Sequence, residues 1–176
     1  MPGYGPYNGA QWGKVGNSGD FSRPSNPRRQ WSTVGGYLGS HLNQVDEKGR
    51  VTLPAAFRKG SEGASFVLIQ VHPDALTLYP SEAWEEVEKR MRDHLRRAPQ
   101  RRLEFLALTA RAQEVTPDKQ GRILISERLR SAIDLGGEAM LIGALDKIEI
   151  WSPPKFEEAV EASPGDLDDV AGRLFA

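Results

Sequence analysis

The 176-residue sequence contains no cysteine. Disulfides and thiolate metal sites are therefore excluded, and the composition fits a reducing cytosol. No apolar run approaches the roughly 20 residues of a membrane-spanning helix, and the N-terminus lacks the apolar core of a signal peptide. These absences predict a cytoplasmic protein with no membrane partner.

Groups that commonly carry catalysis are also sparse. The three histidines, His41, His72 and His94, do not have the spacing of metal ligands, and we interpret them as incidental. The sequence has no glycine-rich phosphate loop and no nucleophile elbow. It therefore predicts no enzyme, no catalytic residue, no cofactor and no bound metal.

An excess of positive charge is absent as well. The chain has 23 Lys and Arg against 24 Asp and Glu, a net charge of −1. Residues 1–36 hold four basic residues and one acidic residue, which leaves 19 basic and 23 acidic residues for the rest. A protein that coats nucleic acid indiscriminately should be basic overall. Any contact with nucleic acid must therefore come from local basic patches.

Residues 1–36 are rich in Gly, Pro, Ser and Asn and show no periodicity. This composition predicts a disordered N-terminal extension. Two alternatives remain open: a tethering arm for nucleic acid that uses Arg28 and Arg29 near Trp31, and a translation start near Val34.

A repeat dominates the rest of the chain. Asp46-Glu-Lys-Gly-Arg50 returns as Asp118-Lys-Gln-Gly-Arg122, 72 residues later, and further matches continue at the same offset. A match kept in register over this length predicts two copies of one structural unit. The matched pairs include Arg58 with Arg130, Leu68 with Met140, and Leu78 with Ile150.

Each copy has the same predicted order of elements: a strand, a short helix, two strands joined by a turn, and a closing helix. Pro54 suits the first position of the short helix in the first copy, and Ser126 suits the N-cap in the second. Two charged helices, broken around Pro99, are predicted between the copies. With few signals for parallel βαβ units, the mixed pattern predicts an α+β fold. The strands after the motif are predicted at 50–53 and 122–125, the short helices at 54–59 and 126–132, and the charged helices at about 85–98 and 101–111.

The first four positions of the motif have a simple physical reason. Asp is favoured at the start of a type I turn because its carboxylate accepts backbone N–H groups. Gly is favoured at the fourth position, where a left-handed φ is often needed. The residues that we interpret as loop-shaping are therefore Asp46, Gly49, Asp118 and Gly121.

The arginine that follows each glycine needs another explanation, since no turn geometry requires it. Arg50 and Arg122 can each form a salt bridge to their own turn aspartate, four residues back. Each can also donate to a phosphate or a guanine edge, where the planar guanidinium matches two acceptors. The two interpretations are compatible, and Lys48 and Lys119 within the turns add positive charge.

A second basic group lies on the charged helices between the copies. We interpret it as a solvated face with intrahelical ion pairs. A contact with the acidic C-terminal stretch of another subunit and a phosphate contact remain alternatives. The group consists of Lys89, Arg90, Arg92, Arg96, Arg97, Arg101 and Arg102.

Besides the paired Asp-x-x-x-Arg motifs, the repeats contain Leu53-Pro54, Phe57-Arg58, Leu78-Tyr79-Pro80, Trp84 and Leu145-Asp-Lys-Ile-Glu-Ile-Trp151. With these residues the sequence resembles the MraZ transcriptional regulators, bacterial proteins built of two tandem repeats similar to the AbrB DNA-binding fold. The resemblance covers about residues 37–160. We accordingly divide the chain into an N-terminal extension (1–36), a first repeat with its helix (37–98), a second repeat (99–160) and a C-terminal tail (161–176).

The resemblance implies a swapped-hairpin β-barrel that the two AbrB-like repeats share, flanked by helices. It also implies a ring-like homo-oligomer, an octamer or a dodecamer, that binds short direct repeats of double-stranded promoter DNA. The implied target is the division and cell-wall gene cluster, usually with repression, which places the protein at the nucleoid. The implied DNA contacts are Arg50 and Arg122, with Lys48 in the first motif and Lys119 shifted by one place in the second.

Two other functions remain open. The chief alternative is an oligomeric scaffold in which the Asp–Arg pairs are salt bridges between subunits. The weaker alternative is an enzyme that uses an Asp–Arg pair on a phosphorylated substrate. That enzyme would need a pocket with a perturbed carboxylate, and nothing in the sequence indicates one.

Overall fold

A computed structural model describes residues 36–58, 63 and 65–175 of the chain. The predicted extension, 1–36, lies outside the described residues except for Gly36, together with its candidate arm and candidate start. Within the described part of the chain, no helix combines the length and the apolar character that crossing a bilayer requires.

The described chain contains both strands and helices, and all its paired strands are antiparallel, which confirms the α+β class. The strands are β1 (Ser40–Gln44), β2 (Arg50–Thr52), β3 (Phe66–His72), β4 (Ala75–Pro80), β5 (Gln113–Val115), β6 (Arg122–Leu124), β7 (Glu138–Gly143) and β8 (Ile148–Trp151). The helices are α1 (Ala55–Arg58), α2 (Ser81–Arg97), α3 (Arg102–Thr109), α4 (Glu127–Ala132), α5 (Pro153–Glu161) and α6 (Leu167–Phe175).

Local details differ from the sequence-based expectations at the helix starts. Helix α1 begins at Ala55, so Pro54 precedes the helix instead of occupying its first position. Ser126 does occupy the N-cap of α4, but its side chain makes no capping hydrogen bond. Pro99 begins a 3-10 turn between α2 and α3, as the predicted break requires. The segment expected as a C-terminal tail contains the helix α6.

The two repeats exchange strands. β1 of the first repeat pairs with β7 of the second, and β5 of the second pairs with β3 of the first, both antiparallel. β4 pairs with β8, and β2 pairs with β6. The result is a six-stranded sheet in the order β1-β7-β8-β4-β3-β5 and a separate two-stranded ribbon, β2-β6. This exchange is the shared, swapped arrangement that the resemblance implies, although the described strands hydrogen-bond as two sheets and not as one closed barrel.

One core joins the two sheets. Val51 and Ile123 of the ribbon belong to the same buried cluster as Leu68 and Leu141 of the six-stranded sheet. Their side chains are fully shielded from solvent. Neither repeat therefore has a core of its own, which explains why both copies carry apolar residues at matching positions.

The strand registers correct one part of the sequence match. Leu68 pairs with Leu78, whereas Leu141 pairs with Ile150. Because Ile150 is the equivalent of Leu78, Leu68 corresponds to Leu141, and the match of Leu68 with Met140 was wrong by one residue. Relative to the first repeat, the second therefore has one more residue between its short helix and β7 and one fewer between β7 and β8, a pair of changes that a constant offset could not show.

Phe57 anchors the first short helix in this core. Its ring is 1% exposed, and it meets the edges of Tyr37 and His41 at centroid distances of 5.7 and 5.1 Å. Such edge-to-face aromatic contacts add to the energy of burial. His41 therefore has a packing role.

We predict that Phe57→Ala lowers the free energy of unfolding by about 3–5 kcal/mol, because it opens a cavity where a buried ring is lost. Chemical denaturation at fixed protein concentration measures this loss. Leu103→Ala is the control, since Leu103 is 74% exposed and should change stability little. Equal effects of the two substitutions would contradict the proposed core.

Candidate functional site

The first turn is held by its own backbone and by one carboxylate. Gly49 N donates to Asp46 O at 2.8 Å, and Asp46 N donates to Arg50 O at 2.9 Å. Asp46 Oδ1 accepts from the backbone N–H of Lys48 at 3.0 Å and of Arg50 at 2.9 Å. Gly49 has a φ of +80°, which favours glycine. These are the bonds that the turn interpretation requires.

The second turn repeats this geometry. Gly121 N donates to Asp118 O at 2.8 Å, and Asp118 Oδ1 accepts from the backbone N–H of Gln120 and Arg122 at 2.9 and 3.0 Å. Gly121 has a φ of +76°. The repeat in sequence is therefore a repeat in hydrogen bonding.

Each motif arginine forms a salt bridge to its own turn aspartate. Arg50 Nε donates to Asp46 Oδ2 at 2.7 Å, and Arg122 Nε donates to Asp118 Oδ2 at 2.8 Å. Arg122 Nη2 also lies 2.7 Å from Asp118 Oδ2. A guanidinium has five N–H donors, and one carboxylate can meet only one edge of it. Donors therefore remain for a ligand while the aspartate fixes the direction of the side chain.

The ribbon brings the two arginines to one face. Arg50 pairs with Leu124, and Thr52 pairs with Arg122. Because side chains alternate along a strand, these four point outward, while the central residue of each strand is buried. Arg50 and Arg122 are thus diagonal neighbours across the two strands, a position at which Cα atoms typically lie about 7–8 Å apart. We call this surface the ribbon face.

Sequence reasoning did not assign a role to Thr52 and Leu124, which lie on the ribbon face between the arginines. Leu124 is 49% exposed. Each strand's alternation of exposed and buried residues could have predicted that Thr52 points to the same side as Arg50, and Leu124 to the same side as Arg122. The sequence alone did not show that β2 pairs with β6, which places all four side chains on one face.

The two turn lysines are exposed but are not equivalent. Lys48 is the third residue of its turn, and its counterpart in the second turn is Gln120. Lys119 is the second residue of its turn. The two turns therefore present their lysines at different positions, as the sequence comparison predicted.

The turns are also bonded to each other's repeat. Gly49 O accepts from Ile125 N at 2.9 Å, and Gly121 O accepts from Leu53 N at 2.8 Å. Each turn glycine therefore receives a hydrogen bond from the residue just after the opposite ribbon strand. The two turns and the ribbon form one hydrogen-bonded unit.

Electrostatics keep both turn aspartates ionised. The pKa of Asp118 falls from its ordinary value of 3.8 to about 2, first because of the side-chain hydrogen bond from Arg122 and then because of the backbone N–H of the same residue. The pKa of Asp46 is also lowered, mainly by the backbone N–H of Arg50 and further by the Arg50 guanidinium, while desolvation opposes the shift. Each aspartate thus stays charged near neutral pH.

The charged helix between the repeats shows the intrahelical pairing that was expected. Arg92 contacts Glu88 at 3.0 Å, and Arg96 contacts Asp93. Exposed pairs of this kind contribute little stability. These contacts support the interpretation of a solvated face, and the alternatives of a subunit contact or a phosphate contact stay untested.

Among residues 36–58, 63 and 65–175, His, Asp and Glu do not form any group of three or more that could hold a metal ion. His72 lies beside Trp151, and His94 lies beside Phe105, at ring-centroid distances of 4.9 and 5.5 Å. These histidines, like His41, make aromatic contacts.

Comparison with known proteins gives a family model and named relatives. The model, described as "MraZ protein, putative antitoxin-like", matches residues 37–106 and 108–175, one segment for each repeat. A protein named transcriptional regulator MraZ from Pediococcus pentosaceus is 30% identical over 139 residues, which cover 79% of this chain and 96% of that protein. Proteins of the same name are 31% identical in Cutibacterium acnes, over 80% of this chain and 98% of the relative, and 33% identical in Thermomicrobium roseum, over 78% and 96%.

The lowered pKa of Asp118 gives a testable pH dependence. Because the pKa of Asp118 is lower in the folded protein, its pairing with Arg122 contributes its full stabilisation above the ordinary pKa of 3.8, and this stabilisation is lost as the pH falls through about 2. We predict that the Asp118 carboxyl carbon titrates with a midpoint near 2 in NMR, and that Arg122→Met raises this midpoint toward 3.8. Arg111→Met, at an exposed position outside the turns, should leave it unchanged. If Arg122→Met left the titration midpoint of Asp118 unchanged, the proposed pairing of the two side chains would be contradicted.

Proposed function

The chain belongs to the MraZ family, and we propose that it is a sequence-specific DNA-binding transcriptional regulator that contacts DNA with the ribbon face. The relatives are named transcriptional regulators, which agrees with the prediction that the chain is not an enzyme. The observation that carries the proposal is the placement of Arg50 and Arg122 on one outward face, each aimed by its own turn aspartate.

A two-stranded ribbon fits the DNA major groove, which is about 12 Å wide. In this position the arginines can donate to guanine edges or phosphates. We assign the primary contacts to Arg50 and Lys48 of the first turn. Arg122 contacts DNA or braces the second turn, and Lys119 supplies a phosphate contact from its displaced position.

The turn aspartates have a role in this interface that is separate from turn formation. Oδ1 of Asp46 accepts backbone N–H groups, whereas Oδ2 meets the Arg50 side chain. The first oxygen shapes the loop, and the second limits the rotamers of the arginine. An arginine that is already oriented loses less entropy when it binds a base.

A single ribbon face cannot supply a specific site by itself. One bidentate arginine contributes roughly 1–3 kcal/mol of discrimination, while specific sites exceed non-specific binding by roughly 4–10 kcal/mol. The net charge of −1 adds no general attraction to DNA. We therefore propose a ring-like homo-oligomer, an octamer or a dodecamer, that presents several ribbon faces at high effective concentration.

This multivalent arrangement suits an operator made of short direct repeats. We propose that the operator lies in the promoter of the division and cell-wall gene cluster and that binding represses transcription there. The protein would then work in the cytoplasm at the nucleoid. These assignments rest on the family and on the need for several linked weak contacts.

The chief rival is an oligomeric scaffold with Asp–Arg salt bridges between subunits. Both pairs lie within a single turn of one chain, four residues apart. The scaffold proposal needs these ion pairs to join different subunits, whereas each aspartate is paired within its own turn. The DNA-binding proposal is therefore the better supported of the two.

We predict that Arg50→Ala lowers affinity for the promoter fragment by tenfold or more, because the contact with a guanine or a phosphate is lost. Gel-shift titration against promoter and scrambled DNA measures the loss, and light scattering should show an unchanged oligomer. Arg111→Ala is the matched control, since it removes the same charge from an exposed position outside the ribbon. Unchanged promoter affinity of Arg50→Ala would refute the proposed function, and a changed mass with unchanged affinity would support the scaffold.

A further inference from the structure

We propose that Arg130 and Arg58 are positioning residues, and that each holds in place the DNA-contacting turn of the opposite repeat. Arg130 lies in the second repeat and supports the turn that carries Arg50. Arg58 lies in the first repeat and supports the turn that carries Arg122. This inference rests on the proposed DNA-binding role of the turns and adds residues that lie outside the ribbon face.

The guanidinium of Arg130 lies directly on the first turn glycine. A β-carbon added to Gly49 would come within 2.7 Å of Ile125 O, 2.8 Å of Arg130 Nε and 3.2 Å of Arg130 Cζ. The side chain of Arg130 is only 20% exposed, less than the 34% of Arg50. The space beside Gly49 is therefore occupied by two groups of the other repeat, the Arg130 guanidinium and the backbone carbonyl of Ile125.

The second turn has the reciprocal contact. A β-carbon on Gly121 would lie 2.8 Å from both Cζ and Nε of Arg58. The contact between a turn glycine and an arginine of the opposite repeat therefore occurs in both halves of the structure. We take this recurrence as a feature of the repeated unit and not of a single loop.

The two arginines are anchored differently. Arg58 Nε donates to Leu53 O at 3.0 Å, within its own repeat. Arg130 forms a salt bridge with Glu127, and its buried Nε has no hydrogen-bond partner among the described residues. Arg130 therefore supports Gly49 by packing, with Glu127 holding its outer end.

The turn glycine is the position at which such support matters. Glycine has the largest backbone freedom of any residue, and its positive φ sets the direction of the chain that follows. Arg50 comes immediately after Gly49, so a change in the φ of Gly49 redirects the Arg50 side chain. The guanidinium of Arg130, packed on the glycine, restricts that change.

This arrangement predicts a crossed dependence. Removing Arg130 should loosen residues 46–50, which lie some eighty residues away in sequence, and should spare residues 118–122. Removing Arg58 should do the reverse. A merely structural role in the arginine's own repeat would give the opposite pattern or an equal loss in both turns.

Hydrogen–deuterium exchange followed by mass spectrometry of the full-length oligomer tests the crossed dependence without DNA. We expect Arg130→Met to speed exchange at residues 46–50 at least about threefold more than at residues 118–122, with Arg58→Met showing the mirror image. Arg128→Met is the matched control, because Arg128 is exposed on the same helix and loses the same charge. If Arg130→Met does not yield the oligomer, Arg130→Lys carries the same test, since a lysine lacks the planar group that covers the glycine.

A DNA measurement completes the test. We expect Arg130→Met to lower specific promoter affinity about tenfold, because a misdirected arginine loses most of its discrimination, with little change in affinity for scrambled DNA.

Faster exchange confined to the arginine's own repeat, or no difference from Arg128→Met, would overturn the inference. If Arg50→Ala abolishes promoter binding and Arg130→Met does not affect it, the positioning role fails while the proposed function stands. If Arg50→Ala has no effect, the proposed function fails, and the exchange pattern alone decides whether Arg130 supports the turn.

Discussion

The antiparallel pairing of β2 with β6 is the contact on which the other features depend. Each strand has only three residues, too few for a stable hairpin alone. Their central residues, Val51 and Ile123, enter the common core, and the glycine carbonyl of each turn accepts a hydrogen bond from beyond the opposite strand. Without this pairing, the two turns would lose their fixed positions relative to each other, and Val51 and Ile123 would lose their place in the core that the repeats share.

The same pairing turns a duplicated motif into one surface. Alternation along β2 places Arg50 outward, and the antiparallel register brings Arg122 beside it. Each arginine keeps its own aspartate, so two like charges stand close together without a large net charge. The ribbon face presents the donors that the proposed DNA contact uses, while the chain as a whole stays slightly acidic, and this is why the proposed function depends on linking many weak contacts.

The parts of the site that could be predicted from sequence are those that local chemistry determines. Asp46 and Gly49 form their turn through bonds within five residues, so the motif was sufficient to predict it. The exchange of strands between repeats depends on partners far apart in sequence, and only the family resemblance indicated it. Leu68 was matched to Met140 because a loop gained one residue where side-chain patterns on both sides remained apolar. Arg58 and Arg130 were visible as a matched pair, but their contacts cross between repeats and leave no local signal.

The central claim is that DNA lies against the ribbon face. Its most direct test is photo-crosslinking with p-benzoylphenylalanine placed at Thr52, between the two arginines, and at Val71, which is 56% exposed on the six-stranded sheet. Our account predicts that the probe at position 52 crosslinks to promoter DNA in the full oligomer and that the probe at position 71 does not. Crosslinking from position 71, with none from position 52, would contradict it.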